Sequence, residues 1–333
     1  MHILLIGGTG NISSEVASHL FSLGHTITVV TTGKRPVPTE YTAIQVDRND
    51  TPSFVRYLKG IEPDVVIDVI AFIPDQLKID YSIFKGVINQ FIFISSTVVY
   101  EKPHRRFPIT ENTPRSNPFW EYGRNKIACE EYLESVHSPE FPVTIVRPSH
   151  TFGNQWIPSP IDSTDFTIAR RILDGRPIFL HDKGESLWTL TAATDFAIGL
   201  SGLVGNVNAL GEAFHITSDE AATWNEIYHC IGNALGKKPV IEFIPSEFIA
   251  EEYPEAHGML FGDKKEHGVF DNQKIKRYVH GFECRKSLKQ AVEESVGWFL
   301  TDESRQTINE NDDRLIDRLI SAWHHSNESI SLK

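Results

Sequence analysis

HILLIGGTGNIS, residues 2–13, decides the fold. A short apolar run ends directly in glycines, and the residues after the glycines can wind into a helix. That succession of strand, tight turn and helix N-terminus is the setting in which a dinucleotide phosphate is bound. Read from Gly8 the spacing is GxGxxS. Gly8 permits the tight turn, Gly10 lets the backbone approach a pyrophosphate, and the small Ser13 lets the helix close onto the strand. The helix end adds unpaired amides and the positive end of its dipole. Gly7, Gly8, Thr9, Gly10, Asn11 and Ile12 are therefore the expected cofactor contacts, against the plainer alternative of a glycine-rich turn that holds nothing.

Outward from this turn, β-branched runs alternate with helical stretches over the first 150 residues. TITVV (26–30), AIQV (43–46), VVIDVI (65–70), FIFIS (91–95) and VTIVR (143–147) follow HILLI as strands. Segments 12–23, 52–58, 76–88 and 122–136 can each form a helix covering one face of a sheet. The order predicts an α/β fold, a Rossmann-type doubly wound parallel sheet with a smaller C-terminal substrate lobe. Beyond Pro148 the chain loosens into SHTFGNQWIPSPIDS and then resumes as helices near 164–174, 195–204, 223–235, 286–299 and 309–325. Residues 1–155, joined by 187–205, are read as the dinucleotide-binding domain. Residues 156–333 are read as a substrate lobe that does not fold alone, its acidic tail after Asp302 forming a solvated helix with a frayed end.

Composition narrows the function. The net charge of −12 repels phosphate backbones, so nucleic acid is not the expected partner. No stretch approaches the roughly 18 apolar residues of a membrane span, and the apolar start runs into glycines without a basic leader. Three cysteines without CxxC spacing point to neither a disulfide framework nor zinc, and the histidines show no metal-binding spacing, so a cytoplasmic, metal-free protein is expected.

Tyr122 and Lys126 stand four apart in EYGRNKIACEEYL, one turn apart on one helix face. FIFISS ends a buried strand upstream at the carboxyl edge of the sheet, where open α/β folds bind ligands, and so brings Ser96 towards Tyr122. With these three elements the sequence resembles the extended short-chain dehydrogenase/reductases, in particular the NAD-dependent epimerase/dehydratase branch typified by UDP-glucose 4-epimerase. The resemblance spans nearly the whole chain and rests on Gly7 to Ser13, on Ser95 to Tyr100 (SSTVVY), on Tyr122 to Lys126 and on Arg147-Pro148. It implies that Ser96 orients the reacting hydroxyl, that Tyr122 exchanges its proton, and that Lys126 holds the nicotinamide ribose and lowers the tyrosine's pKa from about 10. It also implies a homodimer built partly on the tyrosine helix.

Two departures bear on the substrate. Dehydratases of the branch carry Asp and Glu after the catalytic serine or threonine, where this chain has Thr97 and Val98, so simple 4,6-dehydration is not expected. In SLWTLTAATDFA, Trp188 stands where epimerases present an arginine to the sugar nucleotide's diphosphate. Free sugars, cyclitols and glycosides therefore stand beside nucleotide sugars as candidate substrates. Trp188 either stacks on a sugar or packs beneath a loop. Thr97, His150 and Trp188 are the candidate substrate contacts.

The cofactor is read as NAD(P), leaning to NADP. An NAD enzyme places a carboxylate about 20 residues past the glycine turn. Here that position is Thr31, followed by Lys34 and Arg35, whose charges suit a 2′-phosphate. Asp47 and Arg48 end the third strand, where the family contacts adenine. The leading reading is an NAD(P)-dependent oxidoreductase or epimerase acting on a sugar-like hydroxyl or ketone by hydride transfer. The alternatives are an RNA-binding member, like the chloroplast stem-loop binding proteins, or a redox-sensing regulator that binds the nucleotide without turnover.

Overall fold

In the computed structural model, residues 1–153, 155–161 and 164–331 are described, with side chains to Asn327. Asn154, Asp162 and Ser163 of the loop after Pro148, and Leu332 and Lys333 of the expected frayed end, lie outside the described residues.

Seven parallel strands form the central sheet. They are β1 (His2–Ile6), β2 (Thr26–Thr31), β3 (Thr42–Gln45), β4 (Val65–Asp68), β5 (Gln90–Ile94), β6 (Val143–Pro148) and, much later in the chain, β11 (Ala213–Ile216). The spatial order is β11-β6-β5-β4-β1-β2-β3, so the chain builds outward from β1 to β3 and then crosses back to place β4 on the other side of β1. The crevice above such a switch point is where open α/β sheets take ligands.

Alternation along the strands fills both faces. Ile3 and Leu5 of β1 pack with Val16 and Leu20 of α1 (Asn11–Ser22) and with Phe196 and Leu200 of α6 (Ala193–Ser201). Leu4 and Ile6 point the other way, to Phe54 of α2 (Thr51–Leu58), Leu77 and Phe84 of α3 (Pro74–Phe84), and Cys129 and Leu133 of α4 (Glu121–Val136). A strand buried on both faces reads as a nearly continuous apolar run, which is why HILLI shows no polar alternation. Residues 193–216 thus lie on the sheet.

Apart from α10 (Gln273–Tyr278), whose Ile275 joins the core under the sheet, most of the remaining elements gather round a separate apolar core containing Trp156, Phe166, Phe179, Trp224, Tyr228 and Phe299. They include β7 (His150–Phe152), paired in parallel with β10 (Leu190–Ala192), and β8 (Ile178–His181), paired in parallel with β13 (Ile241–Ile244). Strand β9 (Leu187–Trp188) pairs antiparallel with β12 (Ala222–Thr223). Helices α5 (Thr167–Leu173), α7 (Trp224–Ala234), α8 (Ser246–Glu252), α9 (Ala256–Met259), α10 (Gln273–Tyr278), α11 (Leu288–Leu300) and α12 (Glu310–Ser331) complete the chain. Arg171, fully buried, ties α5 to the last helix through Asp313 (2.7 Å) and Asp317 (2.6 Å). Among the described residues no helix is long and apolar enough to cross a membrane, and no group of three or more His, Cys, Asp or Glu side chains could hold a metal ion.

Six of the seven strands agree with the sequence expectation to within two residues. The seventh, β11, was not anticipated, because AFHI is short and carries a histidine. That histidine is buried with its ring nitrogens satisfied by the Tyr100 hydroxyl and the Asp271 carbonyl.

Candidate active site

The glycine turn forms as its residue types require. Gly7 has φ +89°, a conformation that side-chain-bearing residues avoid, and a Cβ there would lie 2.4 Å from Ile70. A Cβ on Gly8 would lie 2.5 Å from Val29, so the turn is pressed against β2 and only hydrogen fits. Ser13 locks the loop: its Oγ accepts from the Gly10 amide (2.8 Å) and donates to the Gly7 carbonyl (2.5 Å). Helix α1 starts there with no acidic residue in its first turn, so nothing offsets its attraction for an anion. This cradle fits a dinucleotide pyrophosphate.

Around it, Thr31 is buried with its hydroxyl 3.3 Å from that of Thr9, and Arg35 reaches back to donate to the Thr9 carbonyl (2.8 Å). An exposed guanidinium is thereby held beside the turn, and Lys34 is exposed next to it. The Asn11 side chain is committed to the protein, donating to the Thr151 carbonyl (2.9 Å) and accepting from the Gly153 amide (2.7 Å), so it tethers α1 to the end of β7. Asp47 is exposed and accepts from the Asn49 amide (2.8 Å).

Arg48 corrects the sequence expectation. Instead of facing adenine it is buried between β4 and α3, donating to Asp68 (2.5 Å), to Asp80 (2.5 Å) and to the Gln76 carbonyl (3.0 Å). Two buried carboxylates draw the guanidinium inward. Asp68 also accepts from the Ile70 and Ala71 amides, which shapes the chain leaving β4.

A cavity of about 240 Å³ opens at the carboxyl edge of the sheet, and Ile12, Ser96, Thr97, Tyr122, Lys126, His150 and Trp188 all line it. Ser96 begins a short helical turn, Thr97–Val99, and its Oγ accepts from the Val98 amide (3.3 Å). Tyr122 and Ser96 share one wall of this cavity. Serine and tyrosine thus meet as their positions on β5 and α4 suggested.

Lys126 is nearly fully buried under them, its ammonium donating to the carbonyls of Ala71 and Ile94 (both 2.8 Å) and lying 4.6 Å from the Phe93 ring centre. Burial brings its pKa down to about 8. Burial also pushes Tyr122 up to about 12, against the pull of Ser96 and reinforced by the charge of Asp263. A buried ammonium seeks oxygen acceptors, and two carbonyls take it, while loss of water disfavours the phenolate.

His150 is sandwiched between Trp156 (4.3 Å between ring centres) and Trp188 (4.2 Å), and Trp188 continues onto Trp224 (4.3 Å). Burial holds the imidazole pKa well below its usual value, so the ring is neutral. Trp188 therefore both packs and lines the cavity, as one rung of an aromatic ladder. Lys264 lies 5.0 Å from its ring centre. Lys102 and Asp263 also line the cavity, and neither was marked in the sequence, because each stands alone in a stretch without a motif.

A family model described as "NAD dependent epimerase/dehydratase family" matches residues 3–216, well over half of the chain. The chain belongs to this family. This epimerase/dehydratase family member is an enzyme of the short-chain dehydrogenase/reductase type, with an NAD(P) cofactor. It is 25% identical over 306 residues to the 2′-dehydrokanamycin reductase of Streptomyces kanamyceticus, covering 90% of this chain and 85% of that one. It is 24% identical over 269 residues to the chloroplast stem-loop binding protein of 41 kDa b of Arabidopsis thaliana, covering 74% and 67%. Its fold matches UDP-glucose 4-epimerase of Thermotoga maritima, solved with UDP-glucose, at a TM-score of 0.71 and 20% identity over 90% of this chain and 99% of that one.

Proposed function

We propose that this enzyme reduces a ketone carbon on a sugar-like ring that carries no nucleotide, using NADPH. The observation that carries the reading is that Ser96 and Tyr122 line one cavity together, with the ammonium of the buried Lys126 anchored on two backbone carbonyls of the same cavity. A phenol whose pKa is pushed up to about 12 keeps its proton at neutral pH. It is suited to giving that proton to a carbonyl oxygen as the carbon is reduced. Bound NADPH supplies the hydride. Ser96, whose oxygen already accepts from the Val98 amide, donates a hydrogen bond to the same carbonyl oxygen and fixes its direction. Lys126, anchored by two carbonyls, keeps one of its three donors for the ribose side of the cavity and adds positive charge where the alkoxide forms.

Two features support a substrate without a diphosphate. Among the described residues lining the cavity there is no arginine, and the guanidinium of Arg147 is consumed by the buried Glu130 at 2.7–2.9 Å. Trp188 is held flat in its ladder rather than offering a charge. Similarity to a reductase of 2′-dehydrokanamycin points the same way. The net charge of −12 opposes the stem-loop-binding alternative. Assays of the purified enzyme with NADPH should show cofactor consumption on 2′-dehydrokanamycin or on simple keto-glycosides. Interconversion of UDP-glucose and UDP-galactose with no net cofactor consumption would overturn the proposal.

The NADP preference rests on Arg35 beside the glycine turn and on the absence of a carboxylate at the end of β2. An arginine fork matches a phosphate's oxygens, while a ribose hydroxyl pair would be left without its carboxylate acceptor. In titrations with both oxidised cofactors, wild type should bind NADP more tightly than NAD, and Arg35→Ala should lose affinity for NADP selectively, by about tenfold or more for a lost charged contact. Tighter NAD binding by wild type, or equal losses in the variant, would reject this.

A further inference from the structure

Asn117 lies in SNPFWEYG, residues 116–123, just before the helix that carries Tyr122, and it is only 2% exposed. Its amide group ties three separate segments together. The Nδ2 group donates to the Val98 carbonyl (2.8 Å) and to the Gly262 carbonyl (2.9 Å), while Oδ1 accepts from the Trp120 amide (3.2 Å). A carboxylate in its place would lack both donors, and an apolar side chain would leave two carbonyls and an amide unpaired.

Each tie ends one step from the reacting centre. Val98 is the residue whose amide donates to the Ser96 Oγ (3.3 Å), so Asn117 holds by its carbonyl the residue that holds Ser96 by its amide. Trp120 caps the start of α4, and its ring centre lies 5.0 Å from that of Tyr122. Asn117 therefore also fixes the residue that walls the phenol. Gly262 belongs to a single π-helical turn, Leu260–Lys264, that continues α9 and brings Asp263 to the cavity wall. Such wide turns are rare and recur at functional sites. Glycines on two sides leave the asparagine no slack. A Cβ on Gly123, the residue after Tyr122, would lie 2.8 Å from the Asn117 Nδ2 and 2.9 Å from its Cγ. A Cβ on Gly262 would lie 2.9 Å from the Asn117 Oδ1 and 2.7 Å from the Trp120 Cβ.

We propose that Asn117 is a positioning residue of the reaction, setting Ser96 and Tyr122 against each other and registering the substrate lobe on both. The role deepens the proposed function and rests on Ser96 and Tyr122 being its reacting groups. The serine leaves the sheet on β5 and the tyrosine rides on α4, so neither element alone sets the distance between their oxygens. The lobe arrives from a segment some 140 residues later in the chain, and its hydrogen bond to Asn117 spans 145 positions. One buried amide gives all three the same fixed point. Misplacement of reacting groups by about 1 Å is enough to cost about 100-fold in rate, so a residue that touches neither substrate nor cofactor can still govern turnover.

Asn117→Ala tests the role through two readouts, with circular dichroism to show that the variant is folded. In NADPH-dependent reduction of 2′-dehydrokanamycin, kcat should fall by about 10- to 100-fold with KM little changed, because alignment in the transition state is lost rather than binding. The second readout needs no substrate. In protein carrying ¹³C at the tyrosine Cζ, the Tyr122 resonance, assigned by its absence from Tyr122→Phe, should move and broaden in Asn117→Ala. Should Asn117→Ala fail to fold, Gly123→Ala takes its place. Alanine suits a helix interior better than glycine, yet its Cβ displaces the Asn117 amide, so the same loss of kcat and the same change in the Tyr122 resonance are expected. A folded variant with wild-type kcat, or with an unmoved Tyr122 resonance, would overturn the positioning role and leave the redox reading standing. Absence of turnover by wild type would count against the proposed substrate instead, and the Tyr122 resonance would then decide the role of Asn117 alone.

Discussion

Tyr122→Phe is expected to lower turnover by about 10²- to 10⁴-fold, the usual contribution of a positioned acid or base, while NADP binds as in wild type. Phenylalanine keeps the ring against Trp120 and Phe72, whose centres lie 5.0 and 6.2 Å away, so the helix start and the cavity wall are preserved. What disappears is one oxygen, the phenol's, in the cavity that Ser96 also lines. The loss should appear in kcat and in kcat/KM alike, since the proton moves only in the transition state. Retention of more than a tenth of wild-type turnover would remove Tyr122 from the chemistry. Two other cavity groups are poor replacements: His150 is held neutral by burial, and the Lys126 ammonium is bound to two backbone carbonyls.

Arg48→Met should produce the largest loss of stability, about 3–5 kcal/mol, because it strips the cation from two fully buried carboxylates. Burial already holds the Asp80 carboxyl well above the usual range, with Arg48 opposing that shift and the charge of Asp68 reinforcing it. Without the guanidinium nothing opposes the repulsion, and the Gln76 carbonyl loses its donor too. Urea unfolding monitored by circular dichroism measures the effect, and a loss below about 1 kcal/mol would show that the triad contributes little. Pairing Arg48→Met with Asp80→Leu should recover part of the loss, since an apolar replacement of a whole buried ionic cluster is tolerated better than a broken one. NADP affinity of the folded variant should equal that of wild type, because Arg48 does not face the glycine turn.

Trp188 shows how far the sequence reading reached. Its place in SLWTLTAATDFA fixed what was missing, a diphosphate-binding arginine, but not what the indole does instead. That depends on His150 of β7, on Trp156 from the loop after it and on Trp224 from a helix many residues later, and no local pattern links these three positions. Arg48 shows the opposite error. Its place at the end of the third strand suggested the cofactor, but the side chain followed charge rather than strand position, because Asp68 and Asp80 were already inside.

The amino-acid sequence by itself determined the doubly wound sheet and the glycine turn, and it pointed to Ser96, Tyr122 and Lys126 as residues of one cavity. The strands, the turn and the helix carrying Tyr122 and Lys126 are each written in a contiguous segment, where alternation, helical spacing and the tolerance of glycine for positive φ act locally. Only the tertiary structure decided the seventh strand, the direction of the Arg48 and Lys126 side chains, the raised pKa of Tyr122 and the arrival of Asp263 and Lys102 in the cavity. Those depend on burial and on charges brought together from distant segments. Desolvation and Coulomb attraction act through space, so they take their values only once the chain has closed.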